Sequence, residues 1–140
     1  MMPEDIELEK IKLKKLAKLL SKKEKEVSRS MVIEVESYKE FKELLAKTAS
    51  ENKLLVVDFW APWCPPCVMM APIFKDVAKE LSGKAVFAKV NVDKVKEPAL
   101  DYSITAIPTL IAFKEGKPIS MRVGFTPKPA LKSWIESLIK

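Results

Sequence analysis

No histidine occurs among the 140 residues. Imidazole acid–base chemistry, Ser-His-Asp triads and histidine metal ligands are therefore excluded together. Cysteine is nearly as scarce. The chain has two, too few for a four-cysteine zinc site or a disulfide-scaffolded fold, so no metal centre is expected. Three glycines suffice for turns but mark no repeat and no glycine-rich phosphate loop. No apolar stretch approaches the ~18 residues that span a bilayer, so no transmembrane segment is expected. Lys10, Lys12, Lys14, Lys15 and Lys18 interrupt the region where a signal peptide would carry its apolar core. We therefore expect a cytoplasmic protein. Glutamine is missing and asparagine occurs only at 52 and 91, against abundant lysine and glutamate. That bias points to a thermophilic source, where intracellular disulfides can persist.

What is present suits one ordinary domain: 48% hydrophobic and 31% charged residues provide both a core and a wet surface. The formal net charge of +6 is unevenly spread. Residues 1–30 hold nine Lys/Arg and six Asp/Glu, so the N-terminal segment is the more densely basic. Basic charge alone licenses weak attraction to polyanions. No nucleic-acid-binding motif accompanies it, so no specific nucleic-acid partner is expected.

Residues 1–30 form a lysine-rich extension. Ile6, Leu13, Leu16, Ala17 and Leu20 share one side of a helix over 4–26, while Leu8, Ile11 and Leu19 fall off it. Ser28-Arg29-Ser30 reads as a hinge, and the compact domain spans 31–140. Met31–Val35 suits a short edge strand. Ser37 with Glu40 gives a capping-box pattern for a helix over Tyr38–Thr48. Leu54–Trp60 is an apolar run broken only by Asp58, as in a central strand covered on both faces. A helix follows from Cys67 to Leu81, with Pro72 as an expected kink and Gly83 beyond its end. Ala85–Val90 is a second buried strand, and Lys94–Asp101 a short helix with Pro98 in its first turn. Thr109–Lys114 and Pro118–Val123 form a hairpin around Glu115-Gly116, and Lys128–Ile139 is the last helix. The order predicts a mixed α/β fold with helices on both faces of a central twisted sheet.

The chemistry concentrates in Trp60-Ala61-Pro62-Trp63-Cys64-Pro65-Pro66-Cys67, which joins the buried strand to a helix. At this spacing in a first helical turn the two sulfurs can reach disulfide range. Cys64 would sit at the positive helix end, where free N–H groups stabilise a thiolate and depress its pKa. It would then be the more exposed, attacking thiol and Cys67 the resolving one. A stapling disulfide or half of an intermolecular metal site are the inert alternatives, and a four-residue loop stabilises little. Asp58 is costly to bury as a carboxylate. It could exchange a proton with Cys67, directly or through a water, or be a neutral aspartic acid with a structural role. Lys89, in the neighbouring strand, could pair with Asp58 or be exposed. Pro108, before an apolar strand, could be cis and leave the preceding backbone free for a peptide.

The runs Val57-Asp58-Phe59-Trp60-Ala61, Trp63-Cys64-Pro65-Pro66-Cys67, Lys89-Val90-Asn91-Val92-Asp93, Ile107-Pro108-Thr109-Leu110, Phe113-Lys114-Glu115-Gly116 and Val123-Gly124-Phe125 resemble the thioredoxin family in order and spacing, across residues 31–140. The resemblance implies a thioredoxin-like fold with Cys64 as nucleophile and Cys67 as resolving thiol. It further implies that Asp58 is the buried acid with Lys89 its neighbour, that Pro108 is cis, and that Trp60 and Trp63 flank the disulfide. Trp63, Ile107, Pro108 and Gly124 would form the peptide-binding surface. No bound cofactor is implied. Electrons would come from an external enzyme like thioredoxin reductase and pass to disulfide-containing client proteins, with the chain itself a monomer. The family's usual pair between the cysteines is Gly-Pro, and here it is Pro65-Pro66. Pro65 removes an N–H and stiffens the turn, so the potential would differ. The second departure is residues 1–30, which select partners or reflect an upstream start codon. Reduction of protein disulfides is the expected activity. Its rivals are an oxidase or isomerase, and a scaffold in which the thiols are incidental.

Overall fold

A computed structural model describes residues 32–139. The expected helix over 4–26, the hinge at 28–30 and Met31 lie outside the described residues. Among the described residues five strands and four helices follow in order: β1 (Val32–Val35), α1 (Tyr38–Ser50), β2 (Leu54–Trp60), α2 (Pro65–Glu80), β3 (Ala85–Asn91), α3 (Glu97–Asp101), β4 (Thr109–Lys114), β5 (Lys117–Val123) and α4 (Lys128–Ile139). The sheet order is β1-β3-β2-β4-β5. β3 runs parallel to β1 and β2, β4 antiparallel to β2, and β5 antiparallel to β4.

Strand β2 is central because every residue before Trp60 is buried. Its alternation sorts the core into two layers. Leu54 and Val56 join Met70, Phe74 and Val77 of α2 and Leu131 and Ile135 of α4. Leu55, Val57 and Phe59 join Phe41 of α1, Val95, Ile111 and Phe113. Asp58 has the parity of Val56 and so belongs to the face that α2 covers. In the second layer Phe41 meets Phe59 and Phe113 edge-on at 6.4 and 6.0 Å. Fully burying one such ring stabilises by roughly 1.5–3 kcal/mol.

The elements differ from the sequence expectation at their ends. Helix α2 starts at Pro65, two residues before Cys67, because prolines occupy its first two positions, where a missing N–H costs no intrahelical bond. Pro72 stands inside it on the exposed side, and the helix continues to Glu80. Helix α3 begins at Glu97, not Lys94; the N–H groups of Lys94 and Val95 turn back on the Asn91 carbonyl instead. The hairpin turn uses positive φ at both Glu115 and Gly116, matching the twist of its strands. In edge strand β5 the pairing slips between Ala112 and Phe113, which admits Pro118 at an irregularity where no ladder N–H is needed.

Candidate active site

Cys64 follows the end of β2 by four residues and is the N-cap of α2, in extended conformation. Its Sγ accepts the N–H of Cys67 at 3.4 Å, while its carbonyl accepts the N–H of Val68 at 3.1 Å. The two cysteines form a disulfide with Cα atoms 5.3 Å apart. Both are buried, Cys64 at 5% exposure and Cys67 at 1%, in a small cluster with Ala61 that Trp60, Val92 and Ile107 pack against.

A cap side chain is reached by the N–H groups at the second and third helical positions. Those positions hold Pro66 and Cys67, so the donor can only be Cys67. Pro65 stands at the first position, one short of that reach. Pro65 and Pro66 together remove the N–H groups of the first two helical positions, and both stiffen the turn.

Asp58 is fully buried, and neither carboxyl oxygen has a hydrogen-bond partner among the described residues. It therefore makes no direct bond to Cys67 in this disulfide form. Desolvation pushes its pKa up to about 7, with the charge of Lys89 pulling the other way. Lys89 sits beside Asp58 in the β2–β3 register. Its ammonium lies over the Trp60 ring, 4.3 Å from the centroid, so it acts on Asp58 through space.

The Ile107–Pro108 peptide bond is cis, and the Ile107 carbonyl lies 3.8 Å from Cys64 Sγ. Gly124, at φ 93° in the left-handed region, donates its N–H to the Pro108 carbonyl at 2.8 Å. Trp63 is 67% exposed. It walls a groove of about 230 Å³ with Val92, Ala99 and the segment Ile104 to Ile107. Val123 and Phe125, either side of Gly124, are also exposed apolar residues.

Two residues went unassigned in the sequence. Asp93 accepts the Trp63 indole N–H at 2.8 Å, and its own N–H binds the Asn91 side chain at 2.9 Å. The Asn-x-Asp spacing was the available signal, since such side chains fold back on nearby backbone. Thr109 donates its hydroxyl to the Ala106 carbonyl at 2.5 Å; nothing local marked it. Among the described residues no group of three or more potential ligands could hold a metal, and no helix is long and apolar enough to cross a membrane.

Residues 32–137 match the family profile described as Thioredoxin. A thioredoxin from Staphylococcus aureus is 46% identical over 81 residues, covering 58% of this chain and 78% of that protein. A mutant thioredoxin from Halobacterium salinarum superposes with a TM-score of 0.68 at 30% identity, over 78% of this chain and 91% of that one. The reduced Schistosoma mansoni thioredoxin pre-protein gives 0.66 at 39% identity, over 77% and 94%.

Proposed function

The chain belongs to the thioredoxin family, and from that premise we propose that it reduces disulfides in client proteins. Its Cys64–Cys67 disulfide makes it a thiol–disulfide oxidoreductase whose redox group is carried by the chain itself. The reductase direction rests on one observation: Cys64 Sγ has a single backbone N–H donor at the start of α2. A strong oxidant needs a dithiol form held by generous thiolate stabilisation, and one donor offers little of it.

In the cycle, the Cys64 thiolate attacks one sulfur of a client disulfide, and the other client sulfur leaves as a thiolate. Asp58 takes the proton of Cys67. The Cys67 thiolate then attacks Cys64 Sγ, breaking the mixed disulfide and releasing the second client thiolate. Two electrons have passed to the client and the Cys64–Cys67 bond is restored. Asp58 suits this role because a carboxyl with a pKa of about 7 exchanges protons readily near neutrality. Trp63, Ile107, Pro108 and Gly124 bind the client, while Trp60 and Lys89 shape the field at Asp58. An external reductase of the thioredoxin-reductase kind returns the dithiol in the cytoplasm. The chain works as a monomer, and residues 1–30 are an extension that selects partners. The composition, free of glutamine, supports a thermophilic source.

The deciding measurement is the Cys64–Cys67 reduction potential at pH 7, by equilibration with a glutathione or dithiothreitol series. A value near about −270 mV is expected, and one near about −180 mV or above would overturn the reductase direction in favour of oxidation or isomerisation.

A further inference from the structure

We propose that Thr109 is a positioning residue for thiol–disulfide exchange, its hydroxyl pinning the 106–108 segment so that the Ile107 carbonyl stays opposite Cys64. The proposal rests on the reading of Cys64 as the attacking thiol. Three successive carbonyls of this segment have three different partners. That of Ala106 accepts the Thr109 hydroxyl at 2.5 Å, that of Ile107 faces Cys64 Sγ at 3.8 Å, and that of Pro108 accepts the Gly124 N–H at 2.8 Å. The outer two are hydrogen-bonded by the protein itself. They hold the middle one, whose partner changes during the reaction.

The pin is not demanded by burial of the carbonyl it holds. Ala106 is exposed, and water could satisfy its oxygen. The hydroxyl is the buried partner, on a residue with 1% exposure, and it is spent on a loop. Thr48, also buried, spends its hydroxyl on the Leu44 and Leu45 carbonyls of its own helix, which the helix already fixes. Thr126, the third buried threonine, reaches the Gly124 carbonyl at 3.5 Å, so of the two hydroxyls spent on loop backbone the Thr109 bond is the shorter.

A carbonyl oxygen held against a sulfur favours the thiol, which can donate to it, over the thiolate, which it repels. The same segment lines the groove with Trp63, so the pin also holds a wall of the client surface. Thr109 thus acts on Cys64 and on the client through Ile107 without touching either sulfur.

Thr109→Val keeps the side-chain shape and removes both the hydroxyl and its need for a partner. In the full chain it should lower the apparent pKa of Cys64 by roughly half a unit, read from the pH profile of iodoacetamide alkylation. It should also raise KM for a protein disulfide several-fold with kcat changed less than about twofold. Thr109→Ser retains the hydroxyl and should restore both readouts. A folded Thr109→Val with the wild-type alkylation profile and KM overturns the proposal. Should that variant not fold, Thr109→Ser and Thr109→Ala are compared instead, and identical profiles for the two overturn it equally. Mass analysis of the alkylated protein separates this from the underlying reading. If Cys67 reacts first in the wild type, the role of Cys64 fails and the proposal with it. If Cys64 reacts first and the profiles coincide, Thr109 alone is refuted.

Discussion

Helices α1 and α2 begin with the same kind of cap, an extended residue whose side chain accepts the N–H three residues on, and put it to different use. At α1 the Ser37 hydroxyl accepts the Glu40 N–H at 3.1 Å, and the Glu40 carboxylate accepts the Glu36 N–H at 2.8 Å. That second bond falls one residue upstream of the standard capping box. Here the cap oxygens are inert and the result is stability. At α2 the cap atom is a sulfur, held by the N–H of Cys67 alone and followed by two prolines. Each cap atom accepts one N–H, so the difference lies in the atom itself: a sulfur at this position can act as nucleophile or leaving group. An N-terminus becomes reactive through the element at its cap, under the same helix dipole.

The most severe way to break the comparison is to make the α2 cap resemble that of α1. Cys64→Ser installs the hydroxyl that caps α1 well and removes the nucleophile. Turnover of a protein disulfide should fall on the order of a thousandfold or more, while the urea midpoint of the dithiol protein changes little. Cys67→Ser should instead trap a client on Cys64, visible as a covalent adduct that dithiothreitol releases. Turnover surviving Cys64→Ser would favour the scaffold reading.

The next effect belongs to the strand that feeds α2. An unfolded aspartate titrates near about 3.9, whereas Asp58 in the fold is raised to about 7. The folded protein binds this proton more tightly, so its contribution to stability is complete below pH 4. It is lost as pH rises towards 7 and is flat above. Integrated over that window the loss is roughly 4 kcal/mol. Urea unfolding of the oxidised protein from pH 4 to 9 should show the decline, and Asp58→Asn should abolish it whatever its own absolute stability. No such slope would mean that Asp58 is hydrated or ion-paired in solution.

These features were unequally legible in the sequence. The bounds of β2, β4 and α4 follow from their apolar patterns, because a strand covered on both faces reads as an unbroken run. The cysteine pair and Asp58 stood out by chemistry, as a fixed spacing and a lone carboxylate in such a run. The start of α2 was obscured because proline reads as a breaker before it reads as a first-turn residue. The bonds from Trp63 to Asp93 and from Thr109 to Ala106 were illegible for a different reason. The first joins residues 30 apart, and the second depends on how a loop folds back, so neither has a local periodicity to announce it. Lys89 was legible as the neighbour of Asp58, but its stacking on Trp60 was not.

A finer test restores to α2 what its prolines withhold. Pro66→Ala supplies an N–H at the second helical position, where a donor can reach the cap sulfur. A second donor stabilises the Cys64 thiolate and hence the dithiol form, so the potential should rise by about 20–30 mV, equivalent to about 1 kcal/mol. Pro65→Ala, one position short, should move it by less than half as much. Equal shifts from the two would mean that stiffness governs the potential, not donor count.

The smallest effect is the mirror experiment at α1. Ser37→Ala removes the acceptor for the Glu40 N–H and should cost about 1 kcal/mol of stability, read as a lowered urea midpoint with unchanged slope. Ser37 caps the helix on the opposite face of the sheet from α2, so the Cys64–Cys67 potential should stay within a few millivolts of wild type. Since about 30 mV corresponds to 1.4 kcal/mol for this couple, even a fifth of the lost capping energy reaching the disulfide would move the potential by about 4 mV. A larger shift would mean that the two helix starts communicate through the sheet, and the division between a stabilising cap and a reactive one would no longer hold.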